Sequence, residues 1–94
     1  MAVRVTTDAF DPGAESNAFM AENTGAGAAV TFTGLVRSTA ESPITSLTLE
    51  CYPELAINQL TAMVDEARSR FELIDATIIH RYGTLLPGSP IVQV

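Results

Sequence analysis

The stretch AAVTFTGLVRSTAESPITSLTLECYP, residues 28–53, organises the fold that this sequence predicts. Two runs within it, residues 28–36 and 44–52, alternate apolar side chains with polar or small ones, which is typical of β-strands. Gly34 interrupts the first run and predicts either a β-bulge or a close approach of another part of the backbone. The polar residues between the two runs predict a short, mobile loop.

Arg37 lies where the first predicted strand ends, and it is the only basic residue between Arg4 and Arg68. The whole chain has eleven acidic residues, five arginines and no lysine, with a formal net charge of -6. An isolated guanidinium at a strand end is suited to binding an anionic ligand, because its charge is permanent and its N–H donors are arranged as a fork. The sequence leaves one alternative open, which is a solvated arginine at the end of a hairpin.

The rest of the chain predicts elements that complete one α+β domain over residues 1–94. In the long helix predicted at 54–71, apolar residues recur every three or four positions and predict a face that is buried against a sheet. Asp11 is a suitable N-cap for the short helix predicted at 14–22, and Pro12 follows it at the first helical position. We expect antiparallel strands packed on one long helix, with a short helix near the N-terminus. The predicted elements are a strand at 2–7, a helix at 14–22, a helix at 54–71, a strand at 73–82, a turn at 86–89 and a strand at 91–94 that Pro90 opens.

The composition excludes several classes of function. A surplus of acidic residues argues against binding to nucleic acid or to an anionic membrane. The absence of lysine excludes Schiff-base chemistry and lysine acid/base chemistry in this chain. A single cysteine cannot form an internal disulfide, and we find neither a signal peptide nor an apolar run of transmembrane length. We therefore expect a soluble, cytoplasmic protein.

Four further side chains are candidates for chemistry. His80 lies on an alternating strand, where a histidine is usually a structural side chain. Cys51 faces the expected core, where a free thiol behaves as a small hydrophobe. Glu50 and Glu54 flank the start of the long helix, and capping explains them more simply than paired acid/base catalysis. One histidine and one cysteine are too few donors for a zinc site, so we expect no metal and no cofactor.

Three blocks of this sequence resemble the large, catalytic subunit of molybdopterin synthase, known as the MoaE family. The blocks are TFTGLVR at 31–37, LTLECYPELA at 47–56 and IIHRYGTLLPGSPIVQV at 78–94. They agree with the family in order and spacing over about residues 27–94. Two differences stand out: Cys51 replaces the usual histidine, and the sequence ends at Val94, where the second half of the family domain begins. The resemblance therefore implies a copy that is shortened at its C-terminus.

The resemblance implies an α/β-hammerhead fold and a sulfurtransferase activity. The family converts cyclic pyranopterin monophosphate (precursor Z) to molybdopterin in molybdenum cofactor biosynthesis. Sulfur comes from the C-terminal thiocarboxylate of a small ubiquitin-like subunit, and a homodimer of large subunits binds two small subunits as a heterotetramer. Carried over by position, Arg37 would hold the substrate phosphate, and the backbone of Leu35 and Val36 would line the same spot.

The resemblance also implies that the catalytic lysines lie beyond Val94. No catalytic residue is then expected in this chain, and the 94 residues alone are expected to be inactive. The alternative is a non-catalytic module that keeps the fold and binds only a partner or an anionic ligand. A small anion-binding domain unrelated to pterins is a further possibility.

Overall fold

The computed structural model describes residues 2–94, which form two helices and six strands. The α+β class predicted from the sequence is confirmed, as is the short helix near the N-terminus. In chain order the elements are β1 (Ala2–Thr6), α1 (Pro12–Glu22), β2 (Thr33–Leu35), β3 (Leu47–Leu49), α2 (Pro53–Phe71), β4 (Thr77–Arg81), β5 (Gly83–Leu85) and β6 (Pro90–Gln93).

Four of the strands form the main sheet, in the order β1-β4-β6-β2. The β4–β6 and β6–β2 pairs are antiparallel, as predicted. The β1–β4 pair is parallel, with Val3 opposite Ile78, and this corrects the expectation of a purely antiparallel arrangement. Parallel neighbours need a long crossover connection. The chain supplies one here, because both helices lie between β1 and β4.

The second sheet contains only β3 and β5, paired antiparallel. Thr48 and Thr84 stand opposite each other, and their hydroxyl oxygens are 3.1 Å apart. The sequence did not predict β5. Gly83, the first residue of β5, explains where this strand begins. Its φ of +89° lies in the left-handed region and turns the chain away from the end of β4. The chain thus leaves the main sheet after Arg81 and joins the smaller one.

Both strands of the organising stretch are shorter than predicted. The run at 28–36 contributes only Thr33–Leu35, and the run at 44–52 contributes only Leu47–Leu49. Backbone pairing does extend one residue beyond β2, because Phe32 and Val94 exchange two hydrogen bonds of 2.8 and 2.9 Å. Residues 28–31 are exposed and lie outside the described strands. Alternation marks residues that could pair, but a strand forms only where a partner strand is present.

Both helices begin where local chemistry predicts. Asp11 Oδ1 accepts hydrogen bonds from the backbone N–H groups of Gly13 and Ala14 at 2.9 and 3.2 Å. Helix α2 starts at Pro53, buries Val64 and packs against β1 and β4. The predicted turn before β6 is also confirmed, since Ser89 N–H donates to the Leu86 carbonyl at 3.1 Å. No helix within residues 2–94 is long and apolar enough to cross a membrane.

The buried apolar core of residues 2–94 is small and draws on α2, both sheets and the residue after β2. It consists of Val36, Val64, Ile78, Ile79 and Leu85. Helix α1 is attached to this core by polar contacts: Gln93 Nε2 donates to the carbonyl oxygen of Pro12 at 3.0 Å and to Ser16 Oγ at 2.9 Å. Arg4 on β1 forms an ion pair with Glu15 on the same helix.

Candidate functional site

Arg37 follows β2 directly and its side chain is exposed. Within residues 2–94 its guanidinium makes neither a hydrogen bond nor an ion pair. In the described part of the chain, the predicted cation therefore has no carboxylate partner.

The other four arginines are each engaged in the described part of the chain. Arg4 pairs with Glu15, and Arg70 lies over the ring of Phe71 at 5.4 Å from its centroid. The remaining two donate to backbone carbonyls: Arg68 to Ile74 at 3.2 Å and Arg81 to Thr7 at 3.1 Å. Arg37 therefore differs from the other arginines in two ways: it is isolated in the sequence, and it has no partner within residues 2–94.

The chain on both sides of Arg37 is held in place. Before it, Val36 N–H donates to the carbonyl oxygen of Ser89 at 2.9 Å, and the carbonyl of Val36 accepts from Gly88 N–H at 2.8 Å. After it, Ser38 Oγ accepts a hydrogen bond from Ile44 N–H at 2.9 Å and closes the loop. The base of the Arg37 side chain is therefore fixed, while the guanidinium extends into solvent.

The two residues proposed beside Arg37 have different environments. Leu35 is exposed, and opposite it on β6 stands Pro90, which has no N–H to donate. Val36 is only 2% exposed, and its N–H is already bonded to Ser89. The structure thus places both residues next to Arg37 in the chain, but Val36 offers no free backbone donor.

Gly34 has the structural role that its position in the strand predicts. The register of the β2–β6 pair shifts between Gly34 and Leu35, because their partners Val92 and Pro90 are separated by the extra residue Ile91 on β6. A Cβ at Gly34 would lie 2.8 Å from Cγ1 of Val92. Gly34 therefore lets β2 lie close to β6 at Val92, and this packing explains why a glycine occupies the position.

The other candidate side chains have structural environments. The Nδ1 atom of His80 lies 2.7 Å from the carbonyl oxygen of Arg81, which can only accept, so Nδ1 carries the proton. Cys51 is a half-buried free thiol. Glu54 lies in the first turn of α2, where a carboxylate favours the helix N-terminus. No group of three or more histidine, cysteine, aspartate or glutamate side chains within residues 2–94 could hold a metal ion.

One cavity of the described chain lies away from Arg37, which is not part of its lining. It is a groove of about 500 Å³ between α1, the segment before β2, the end of α2 and the end of β6. We call it the α1 groove, and its apolar lining includes Phe19, Val30, Phe32, Leu73, Ile74 and Val94. The sequence did not predict this groove. Its signal in the sequence is the apolar content of residues 28–32, which also fits the predicted strand at 28–36.

One carboxylate at the α1 groove has a perturbed pKa. Hydrogen bonds from the amino terminus of the chain and from Asn23 lower the pKa of Asp75 from 3.8 to about 2. The Asn23 bond is 2.9 Å long, and the same amide nitrogen also donates to the carbonyl of Phe19 at the end of α1. Asp75 therefore stays ionised at neutral pH and ties α1 to the segment that enters β4.

The chain belongs to the MoaE family: the family model described as "MoaE protein" matches residues 5–94. Over its full length the chain is 44% identical to the "Molybdopterin synthase catalytic subunit" of Cereibacter sphaeroides, and the match covers 64% of that protein. The protein of the same name from Pseudomonas aeruginosa is also 44% identical, with 63% of its length covered. The family resemblance found in the sequence is thereby confirmed.

Solved structures agree with this assignment. The "Molybdopterin cofactor biosynthesis protein E" from Burkholderia multivorans matches with a TM-score of 0.85 and 39% identity, over 98% of this chain and 60% of that chain. This chain therefore spans about three fifths of the length of the relatives that it matches.

Proposed function

We propose that this chain carries the phosphate-binding part of the substrate pocket in a large subunit of molybdopterin synthase. In that role it acts in the cytoplasm, in the conversion of cyclic pyranopterin monophosphate to molybdopterin during molybdenum cofactor biosynthesis. Membership of the MoaE family supports the proposal. The observation that carries it is Arg37, a guanidinium fixed at its base and without a partner in residues 2–94.

A phosphate group suits the environment of Arg37. A guanidinium can donate two parallel N–H···O bonds to phosphate oxygens, and such charge-assisted pairs are stronger than neutral ones. Because no carboxylate within residues 2–94 pairs with Arg37, a ligand does not have to break an ion pair there in order to bind. The side chain is exposed, so salt is expected to weaken the contact.

Leu35 and Val36 are proposed to line the same pocket through their backbone. The N–H of Val36 already donates to Ser89, so this residue sets the position of the chain and supplies no donor of its own. Leu35 is exposed and would contribute an apolar contact to the pterin. Most of the binding free energy of this segment is therefore assigned to Arg37.

The chemistry requires a partner and further residues. In the proposed reaction the sulfur of a thiocarboxylate, at the C-terminus of a small ubiquitin-like subunit, is transferred to the pterin to build a dithiolene. The working assembly is proposed to be a homodimer of large subunits with two small subunits. This chain has no lysine and spans about three fifths of its relatives, so we assign it substrate binding and no catalytic residue.

A second candidate is a non-catalytic module that keeps the fold and binds only a partner or an anionic ligand. The absence of lysine favours this candidate. Both candidates use the free charge of Arg37. They differ in whether dithiolene product forms when the remaining parts of the family domain are present.

Calorimetric titration of the chain with cyclic pyranopterin monophosphate tests the proposed pocket. Arg37→Ala is expected to weaken binding about tenfold or more, because a charge-assisted contact of about 1.4 kcal/mol is lost. Arg70→Ala is the matched control, since it removes an exposed arginine outside the site and should leave the affinity unchanged. Equal affinity of the Arg37→Ala chain and the unaltered chain would refute the pocket.

A further inference from the structure

We propose that Ser38 is a positioning residue for the candidate anion site at Arg37. Its hydroxyl closes the loop of residues 38–44, and the closed loop keeps the carboxylate of Glu41 away from the Arg37 guanidinium. This inference rests on the proposed function, because it explains how the guanidinium stays available to an anionic ligand. We call the contact between Ser38 and Ile44 the loop latch.

One hydroxyl forms the loop latch by bonding to both backbone groups of Ile44. Ser38 Oγ accepts a hydrogen bond from Ile44 N–H at 2.9 Å and donates to the Ile44 carbonyl oxygen at 3.3 Å. A serine hydroxyl has one donor and two acceptor sites, so it can make both bonds at the same time. The latch therefore joins the residue after Arg37 to the end of the loop.

The chain inside the loop latch is closed by bonds of its own. Ser42 N–H donates to the Thr39 carbonyl oxygen at 3.2 Å and to Thr39 Oγ1 at 3.0 Å. Thr39 N–H donates in return to the Ser42 carbonyl oxygen at 3.4 Å. Glu41 lies between these two residues, so its backbone position is set by the closed loop. The polar residues from which the sequence predicts mobility are the ones that bond to one another here.

Glu41 is the carboxylate best placed along the chain to compete for Arg37. It follows Arg37 by four residues and is the acidic residue nearest to it in sequence. Both side chains are exposed, and in an open loop they would be free to meet as a surface ion pair. In the closed loop no ion pair within residues 2–94 joins them. Closure by Ser38 thus favours the state in which the guanidinium can take up a ligand.

Calorimetric titration of the 94-residue chain with cyclic pyranopterin monophosphate tests the loop latch. Ser38→Ala is expected to weaken binding about threefold, because the Glu41 carboxylate then competes with the ligand and exposed ion pairs are weak. Ser38→Thr keeps a hydroxyl and should bind as tightly as the unaltered chain. Ser42→Ala is the matched control, since it removes an exposed hydroxyl of the same loop that has no partner within residues 2–94.

Glu41→Gln separates the positioning role of Ser38 from a simple loosening of the loop. In the Ser38→Ala background it should restore the affinity of the unaltered chain, because a neutral amide forms no ion pair with Arg37. In the unaltered loop it should change the affinity little, since the latch already holds the carboxylate away. The titrations use about 0.15 M salt, where charges more than about 8 Å apart are largely screened. A loss of loop order alone would not be reversed by this change of charge.

Amide ¹⁵N relaxation of the ligand-free chain follows the loop itself. Order parameters for residues 38–42 should be about 0.85 in the unaltered chain and below about 0.6 in Ser38→Ala. Order parameters that stay high in Ser38→Ala, or a loss of affinity that Glu41→Gln does not restore, would overturn the latch.

Arg37→Ala, measured in the same series, distinguishes the two proposals. If it weakens binding while Ser38→Ala binds like the unaltered chain, the latch is wrong and the proposed pocket stands. If Arg37→Ala itself leaves the affinity unchanged, the pocket and the role of the latch in it are both overturned.

Discussion

Val36 donates its backbone N–H to the carbonyl oxygen of Ser89, at 2.9 Å. A second bond of 2.8 Å runs from the N–H of Gly88 to the carbonyl of Val36. Together they join the residue before Arg37 to the turn that leads into β6. The position of the free guanidinium therefore depends on a turn that lies about fifty residues further along the chain.

The turn itself depends on Gly88. Its φ of +83° is in the left-handed region, and a Cβ there would meet no atom within 4 Å. Gly88→Ala should therefore destabilise the fold through backbone strain alone, by about 1–2 kcal/mol. Thermal unfolding followed by circular dichroism measures the effect. Gly25→Ala is the control, because its backbone is not in that region and its surroundings are also open. Equal melting temperatures for the two variants would contradict the role of Gly88.

Gly34 should be sensitive for a different reason, which is crowding. A methyl group at this position would lie 2.8 Å from Cγ1 of Val92, and a β-branched side chain has little freedom to move away. Gly34→Ala is expected to cost about 1–3 kcal/mol of unfolding free energy, as overpacking usually does. Urea unfolding of the single and double variants checks this. Val92→Ala should recover part of the loss in the double variant, and strictly additive effects would show that the two residues do not clash.

The pKa of Asp75 should respond to Asn23. Asn23→Ala removes one of the hydrogen bonds that hold the pKa near 2, so we expect the value to rise towards 3.8. NMR titration of the Asp75 carboxyl group measures it. Asn17→Ala, an exposed asparagine on the same helix, is the control. A pKa that stays near 2 in Asn23→Ala would show that the amide contributes nothing.

The lowered pKa of Asp75 also predicts how the stability of the fold changes with pH. Because the folded-state pKa of Asp75 lies below the unfolded-state value, its hydrogen bonds stabilise the fold above about pH 4. That contribution disappears as the pH falls towards 2. Asn23→Ala should therefore lose stability at pH 7 and much less at pH 2, which urea unfolding at the two pH values would record. An equal loss at both values would be inconsistent with the linkage.

The 94-residue chain should form no dithiolene by itself. Mixing it with cyclic pyranopterin monophosphate and sulfur-loaded small subunit is expected to give no product, because the chain contains no lysine. The full-length Cereibacter sphaeroides relative is the positive control in the same assay. Detection of molybdopterin with the short chain would place catalytic groups within these residues and refute the assignment.

Local chemistry accounts for the parts of the fold that were predicted well. Asp11 with Pro12 and Pro53 mark the starts of both helices, because capping and the fixed φ of proline act within a few residues. The Leu86–Ser89 turn was predicted on the same basis. Helix α2 was predicted at 54–71 and is observed at Pro53–Phe71.

Strand pairing could not be predicted in the same way. The direction of β1 against β4, the short length of β2 and the existence of β5 all depend on which segments meet across the fold. An alternating pattern shows that a segment can be a strand, and it does not name the partner.

For the candidate site, composition and order along the chain were enough to single out Arg37, since it is the only basic residue between Arg4 and Arg68. Only the folded chain decided that Arg37 has no partner within residues 2–94 while the other arginines do, because pairing depends on distances between side chains in the folded chain. The same holds for the α1 groove, whose walls come from three separate parts of the chain, within residues 15–32, 72–79 and 93–94. Local sequence patterns determined where the helices and the turn form. Packing between distant parts of the chain determined which surfaces, such as the α1 groove, stay exposed.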